Sequence, residues 1–140
     1  MMLREVMTAN VRTIESAASI RQAAMMMRDI DVGMLPVIDA GKLVGTLTDR
    51  DITVRATAEA RDPEGTPVSE IMTRDVVSAY EDEETSAAVS AMEQKQVRRL
   101  LVLDHADNCV GVVSLGDLAL RGGEPEMSEE LLEEVSRPSA

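Results

Sequence analysis

Two short stretches hold the residues best suited to chemistry: Gly45-Thr46-Leu47-Thr48-Asp49-Arg50-Asp51 and Gly111-Val112-Val113-Ser114-Leu115-Gly116-Asp117. Both read glycine, two mainly apolar residues, a hydroxyl residue, two more positions, then aspartate. Such a stretch is a strand whose end delivers a hydroxyl and a carboxylate to the start of a helix. The hydroxyl and the free N–H groups of the first helical turn can face a phosphate. The carboxylate can accept hydrogen bonds from two adjacent sugar hydroxyls. The glycine leaves room for a ligand or for another backbone to come close. A hydroxyl followed three positions later by an acid is also a helix-capping pattern. One copy alone favours capping. Two copies, each after a matched glycine, favour a ligand role, and one side chain can serve both.

The duplication extends well beyond these junctions. Val6 opens VMTANVRTI and Ile71 opens IMTRDVVSA, a register of 65 positions. Met7 falls on Met72, Thr8 on Thr73, Ala23 on Ala88, Met27 on Met92, Leu35 on Leu100 and Val37 on Val102. One residue is inserted before Cys109, after which Gly45 falls on Gly111 and Asp51 on Asp117. An internal repeat fixes architecture before any single residue does. Each unit is too short to bury a comfortable core alone, so the halves are expected to pack together.

Each repeat reads β-α-β-β-α. In the first, a strand at Val11–Ile14 precedes a helix that begins at Ser19 with Gln22 in capping-box spacing. Ile20, Ala23, Ala24, Met27 and Ile30 form its apolar stripe, and Gly33 is the expected stop. Strands Leu35–Ile38 and Leu43–Leu47 flank a turn, and a helix follows over Asp49–Ala60. The second repeat places strands at Val76–Ala79, Leu100–Leu103 and Cys109–Val113, a helix over Thr85–Gln96, and a short helix reaching Leu120. Glu84 stands where Ser19 does, so the capping box is lost. The boundaries are 1–62 for the first repeat, 63–70 for a turn-rich linker, 71–122 for the second repeat and 123–140 for an acidic tail, with a helix expected over Met127–Val135. The fold class is α/β (α+β), with two repeats packed sheet to sheet about a pseudo-two-fold axis and clefts where the sheets meet.

Composition narrows the function. The chain has 140 residues, a formal charge of −12, no Phe or Trp, and Tyr80 as its one aromatic. A bound base would therefore be gripped by aliphatic walls and backbone. Residues 124–140 carry six glutamates against Arg137, a net −5, which leaves −7 elsewhere. That balance opposes nucleic acid, whose binding rests on cationic contacts to phosphate, and anionic membranes. No apolar run approaches the ~18 residues of a membrane span, and MMLREVMT lacks a secretion signal's apolar core. One cysteine excludes an internal disulfide. A cytoplasmic location is expected.

The sequence resembles a tandem pair of CBS (cystathionine β-synthase-type) domains, a Bateman module, over residues 6 to 120. The V/I-M-T openings, the Leu35-Pro36-Val37 strand and the two Gly…Thr/Ser…Asp junctions carry the likeness. The resemblance implies regulatory binding of an adenosyl ligand (AMP, ADP, ATP, NAD or S-adenosylmethionine) in clefts between repeats, and a homodimer acting on an unidentified partner protein. It implies that Asp51 and Asp117 hold ribose hydroxyls and that Thr48 and Ser114 contact phosphate or ribose. It implies that backbone at Thr13-Ile14 and Ser78-Ala79 reads the adenine edge, with Pro36 and Leu101 as walls. Arg50, Arg98 and Arg99 are the cations best placed for phosphate. Leu101 in place of Pro36, and Gly33-Met34 in place of Arg98-Arg99, make the two clefts unequal.

Other residues take plainer roles. Met25 and Met26 lie off the buried stripe and suit a helix-to-helix dimer contact. His105 reads as a solvated loop residue and Cys109 as a small buried hydrophobe. The run Glu81-Asp82-Glu83-Glu84 reads as a solvated turn favouring the helix that follows. No nucleophile–base pair is evident and Asp49 with Asp51 forms no metal-binding set, so no enzymatic activity, no required cofactor and no metal are expected. The competing reading is a structural dimerisation or interaction protein whose clefts no longer bind.

Overall fold

The computed structural model describes residues 1–121. The acidic tail and its expected helix lie outside them. The chain forms two compact units: an early unit, Arg12–Val76, and a late unit comprising Met1–Val11 and the chain from Val77 onward.

The chain opens with a 3₁₀ turn at Leu3–Glu5 and β1 (Thr8–Ala9), both in the late unit. The early unit follows with β2 (Ile14–Glu15), α1 (Ile20–Ile30), β3 (Met34–Asp39) and β4 (Lys42–Thr48). Its last helix starts as α2 (Asp49–Asp51) and continues as a π-helical stretch, Ile52–Thr57. The three strands form one sheet in the order β2-β3-β4. β2 runs parallel to β3, with Ile14 opposite Val37. β3 and β4 are antiparallel, with Asp39 opposite Lys42. Ala40 and Gly41 join them with φ of 51° and 78°, the two positive values of a twist-matched hairpin turn.

The Ser19 box caps α1 as its spacing predicts. Ser19 Oγ accepts from the Gln22 N–H at 3.1 Å, and Gln22 Oε1 accepts from the Ser19 N–H at 3.0 Å. The stop differs: α1 ends on Asp31 in the left-handed region, φ 56°, before Gly33 is reached. The short polar side chain of aspartate tolerates that conformation better than most. Gly33 serves the next junction instead, where its carbonyl accepts from the Asp49 N–H at 3.0 Å. Ile20, Ala23 and Met27 pack with Leu35, Val37 and Leu47 in the core of this unit.

In the late unit, β5 (Ser78–Tyr80), α3 (Thr85–Lys95), β6 (Arg99–Leu103), β7 (Cys109–Ser114) and α4 (Leu115–Arg121) repeat the order. The sheet order is β1-β7-β6-β5. Glu84 at the N-cap of α3 makes no side-chain cap bond, and α3 ends on Gln96 at φ 52°, the register partner of Asp31. Even the bulges repeat, after Val37 in β3 and after Val102 in β6. The core gathers Leu3 and Val6 with Val89, Met92, Leu100, Val102 and Val113.

The V/I-M-T motifs are exchanged. β1 pairs antiparallel to β7, with Thr8 opposite Val112 and Ala9 opposite Gly111. Thr73 bridges Thr46 of β4 through two backbone hydrogen bonds of 2.8 and 2.9 Å. Each compact unit thus joins the body of one repeat to the opening motif of the other. The result is a mixed α/β fold of two β-α-β-β-α repeats.

Candidate functional site

In the early unit the register brings one end of every strand together. Thr48 ends β4 opposite Met34, the first residue of β3, and β2 begins alongside at Ile14. Thr13, Ile14, Pro36, Thr48, Arg50 and Asp51 therefore gather at the same end of one sheet. At the junction Thr48 Oγ1 accepts from the Asp51 N–H at 3.0 Å. Asp51 Oδ2 accepts from the Thr48 N–H at 3.0 Å. The capping pattern is thus fully formed, and Asp51 is only 8% exposed. Two further groups meet this carboxylate. The Thr73 hydroxyl lies 3.3 Å from Oδ1 and 3.5 Å from Oδ2. Arg55 Nε stands 3.8 Å from Oδ1, while its Nη1 donates to the carbonyls of Met72 and Ile71 at 3.2 and 3.4 Å.

The repeated glycine of each junction makes room for backbone. A β-carbon on Gly45 would lie 2.6 Å from the Thr73 carbonyl oxygen and 2.9 Å from Met72 Sδ. On Gly111 it would lie 2.5 Å from Met7 Sδ and 2.9 Å from the Thr8 carbonyl oxygen. Of the two uses open to these glycines in the sequence, close approach of another chain segment is the one the fold employs.

Pro36 and Leu101 make the two sheet ends differ. In the late unit the Leu101 N–H donates to the Val77 carbonyl at 3.0 Å, and Ser78 pairs with Leu101. At the matching place in the early unit Pro36 has no N–H to give. Both strands start later than expected, β5 at Ser78 rather than Val76 and β2 at Ile14 rather than Val11. The further residue lost from β2, the pair that would match Ser78 with Leu101, is the part that Pro36 explains. The Arg12 carbonyl, counterpart of Val77's, has no hydrogen bond among the described residues. Arg12 is exposed and Thr13 half-buried, so this stretch of backbone is open to a polar partner. Ile14 and Pro36 themselves are buried.

The late unit assembles Ser78, Ala79, Leu101, Arg98, Arg99, Ser114 and Asp117 at its own sheet end. Arg99 lies opposite Ser114, and the Arg98 carbonyl accepts from the Leu115 N–H at 2.9 Å. Ser114 Oγ accepts from the Asp117 N–H and Asp117 Oδ2 from the Ser114 N–H, both at 3.0 Å. Asp117 Oδ1 has no partner among the described residues. Arg50 and Arg99 are exposed and form no ion pair among the described residues.

An open depression of about 410 Å³ lies elsewhere in the early unit, lined by Arg12, Gln22, Met25, Met26, Asp29 and Ile30. Apart from Arg12 it shares no residue with the sheet-end cluster. Tyr80 and His105 stack with ring centroids 4.7 Å apart and planes 12° from parallel. His105 Nε2 meets Asp82 Oδ2 at 2.8 Å, and the Tyr80 hydroxyl donates to Asp107 Oδ1 at 3.2 Å. Half-buried Cys109 has its thiol pKa raised by burial. Two site residues escaped the sequence reading, Thr73 and Arg55. Thr73 belongs to the repeated V/I-M-T motif, and Arg55 stands four residues after Asp51 on the same helical face.

The family model for the CBS domain matches twice, at residues 3–56 and 68–122. The CBS domain-containing protein YhcV of Bacillus subtilis is 40% identical over 134 residues, covering 96% of this chain and 94% of its own. The crystal structure of Hypoxic Response Protein I with two coordinated zinc ions superposes at a TM-score of 0.76 with 30% identity, covering 86% of this chain and 98% of that one. The CBS domain pair of protein MJ0100, in complex with 5′-methylthioadenosine and S-adenosyl-L-methionine, superposes at 0.75 with 31% identity, covering 89% and 98%. Among the described residues no group of three or more His, Cys, Asp or Glu is arranged for a metal ion, and no helix is long and apolar enough to cross a membrane.

Proposed function

This chain belongs to the CBS-domain family, and on that premise we propose that it is a regulatory module that binds an adenosyl ligand at its sheet ends. The observation that carries the reading is the open backbone that Pro36 leaves at Arg12–Thr13. It sits at the same end of the sheet as the Thr48–Asp51 hydroxyl and carboxylate. Adenine presents an amino donor on its edge, which suits a carbonyl without a ladder partner. The ribose diol suits the Asp51 carboxylate, and a phosphate suits Thr48 with the first-turn N–H groups. Arg50 supplies mobile positive charge in a chain that is otherwise strongly acidic. The ligands bound by the MJ0100 domain pair are of this chemical class.

In the late unit Ser114 and Asp117 offer the same diol and phosphate contacts with Arg98 and Arg99 close in the chain. There the Leu101 N–H already satisfies the Val77 carbonyl, so the adenine edge finds less to read. Regulation follows if the ligand prefers one conformation of the module over another. We include in the proposal a cytoplasmic homodimer, with exposed Met25 and half-buried Met26, which also packs against the core of its own unit, at the contact, and an unidentified protein as the regulated partner. Binding and release suffice for this role, with no chemical step.

The test is titration calorimetry of nucleotide-stripped protein with AMP, ATP, NAD, S-adenosylmethionine and 5′-methylthioadenosine. Heat of binding and a raised melting temperature with one of them are expected. Silence with all five would remove the adenosyl reading. One observation favours the alternative of a structural interaction module: Asp51 and Asp117 both have full capping duties. Under that alternative Asp51→Ala and Asp117→Ala leave every ligand response unchanged because there is none.

A further inference from the structure

The two junction aspartates carry the same capping box yet present different carboxylates. Asp117 spends one oxygen on the Ser114 N–H and keeps the other without a partner among the described residues. Asp51 spends Oδ2 on the Thr48 N–H and has the Thr73 hydroxyl across its outer edge at 3.3 and 3.5 Å. Those outward lone pairs are the ones a vicinal diol would need. Thr8, the register partner of Thr73, is exposed and makes no side-chain hydrogen bond among the described residues. Arg55 accounts for how Thr73 is held. It grips the carbonyls of Ile71 and Met72 and stands beside Asp51 Oδ1, so it ties the I-M-T segment to the helix that carries the acid. It does so from a π-helical turn, a conformation that recurs at functional sites.

Resting on the adenosyl reading above, we propose that Thr73 is an internal competitor for the ligand's ribose. Its hydroxyl occupies the Asp51 carboxylate in the empty protein and is displaced when the diol binds. Arg55 acts as the positioning residue that keeps it there. The displaced residue lies three positions before Val76, where the chain leaves the early unit. Ligand arrival is thereby coupled to release of a side chain at the foot of the connecting segment. The Asp51–Thr73 contact is the element whose state the ligand switches.

The test uses the full chain, with adenosine and 2′-deoxyadenosine as probes, so that phosphate plays no part. Thr73→Val removes the hydroxyl and keeps the shape, and the backbone bridge to Thr46 does not involve the side chain. The Thr73 hydroxyl reaches the carboxylate only at 3.3 and 3.5 Å, long for such a bond. Its net worth is therefore that of an ordinary hydrogen bond, roughly 0.5–1.5 kcal/mol, which corresponds to adenosine binding about 2- to 10-fold tighter. Thr73→Ser keeps the hydroxyl and binds like the wild type. Thr73→Ala repeats the gain if valine disturbs folding, which circular dichroism reports. A role in fold stability alone would weaken binding or leave it unchanged. The gain shrinks with 2′-deoxyadenosine, which lacks half of the diol. Adenosine binding to the wild type with no tightening in either Thr73→Val or Thr73→Ala overturns the competitor and leaves the adenosyl reading standing. An equal gain for both nucleosides overturns displacement by the diol. Adenosine binding to none of the proteins overturns the competitor, and the adenosyl reading falls with it only when the five ligands above are silent as well.

Discussion

The carbonyl oxygen of Thr73 lies 2.6 Å from the point where a β-carbon on Gly45 would stand. Glycine at 45 is therefore the condition for seating the I-M-T segment against β4, and Gly111 plays the same part for Met7 and Thr8. In both cases one obstacle is backbone, which cannot swing aside as a side-chain tip can. Gly45→Ala and Gly111→Ala are each expected to destabilise by about 1–3 kcal/mol through overpacking. Urea unfolding measures this. A loss below about 0.5 kcal/mol, the range of ordinary surface changes, would show that the segments have room to move.

Pro36 offers a cleaner separation of folding from binding. Pro36→Leu restores the N–H that Leu101 gives to Val77, and so returns a partner to the Arg12 carbonyl. One added hydrogen bond gains roughly 0.5–1.5 kcal/mol, while losing proline's restriction of the unfolded chain costs up to about 1 kcal/mol. The melting temperature should change little. The thermal shift produced by an adenosyl ligand should fall sharply, because the acceptor for the adenine amino group is consumed. An undiminished shift in Pro36→Leu would place base recognition elsewhere.

The caps give a comparison within one molecule. Ser19, Thr48 and Ser114 each accept from the N–H three residues on. Replacing each by alanine should cost about 1 kcal/mol, read by denaturant titration. Glu84 makes no such bond, so Glu84→Ser should gain part of that amount by giving α3 the cap that α1 has. Thr48→Ala and Ser114→Ala should also weaken a phosphorylated ligand, whereas Ser19→Ala should not. Equal ligand responses in all three alanine variants would confine the hydroxyls to capping.

Much of this was visible in the residues because the chain states it twice. The Ser19–Gln22 spacing, the Ala40-Gly41 turn and the two hydroxyl–aspartate junctions depend on neighbours a few positions apart, and local chemistry decides them. The exchange of the V/I-M-T segments does not. β1 is a two-residue strand with no periodicity to read, and its partners stand at the far end of the sequence. The late start of β2 was hidden for a related reason. Pro36 shortens its neighbour rather than its own strand, so the effect appears only once β2 and β3 are paired. Arg55 drew no notice in the sequence because its carbonyl partners, Ile71 and Met72, come from the exchanged segment.

The acidic turn before α3 yields a pH dependence. The hydrogen bond to Asp82 raises the pKa of His105, helped by the charges of Asp82, Glu81 and Asp104, and the same bond holds Asp82 below its usual range. A raised imidazole contributes stability fully below its unfolded value of about 6.5 and loses it as pH rises through the folded value. A lowered carboxyl contributes above about 3.9 and loses its share as pH falls through the folded value. The pair therefore supports the fold most between about pH 4 and 6.5. His105→Asn should melt below the wild type by roughly 1–3 °C near pH 5.5, a surface-pair effect in a domain of this size. Toward pH 8.5 the ionic part of that gap should narrow, leaving what a neutral imidazole N–H on Asp82 and stacking on Tyr80 contribute. Scanning calorimetry at the two pH values, repeated in 0.5 M salt to screen the charges, distinguishes the cases. A gap that is the same at both pH values and indifferent to salt would assign the contact to stacking and neutral hydrogen bonding rather than to charge.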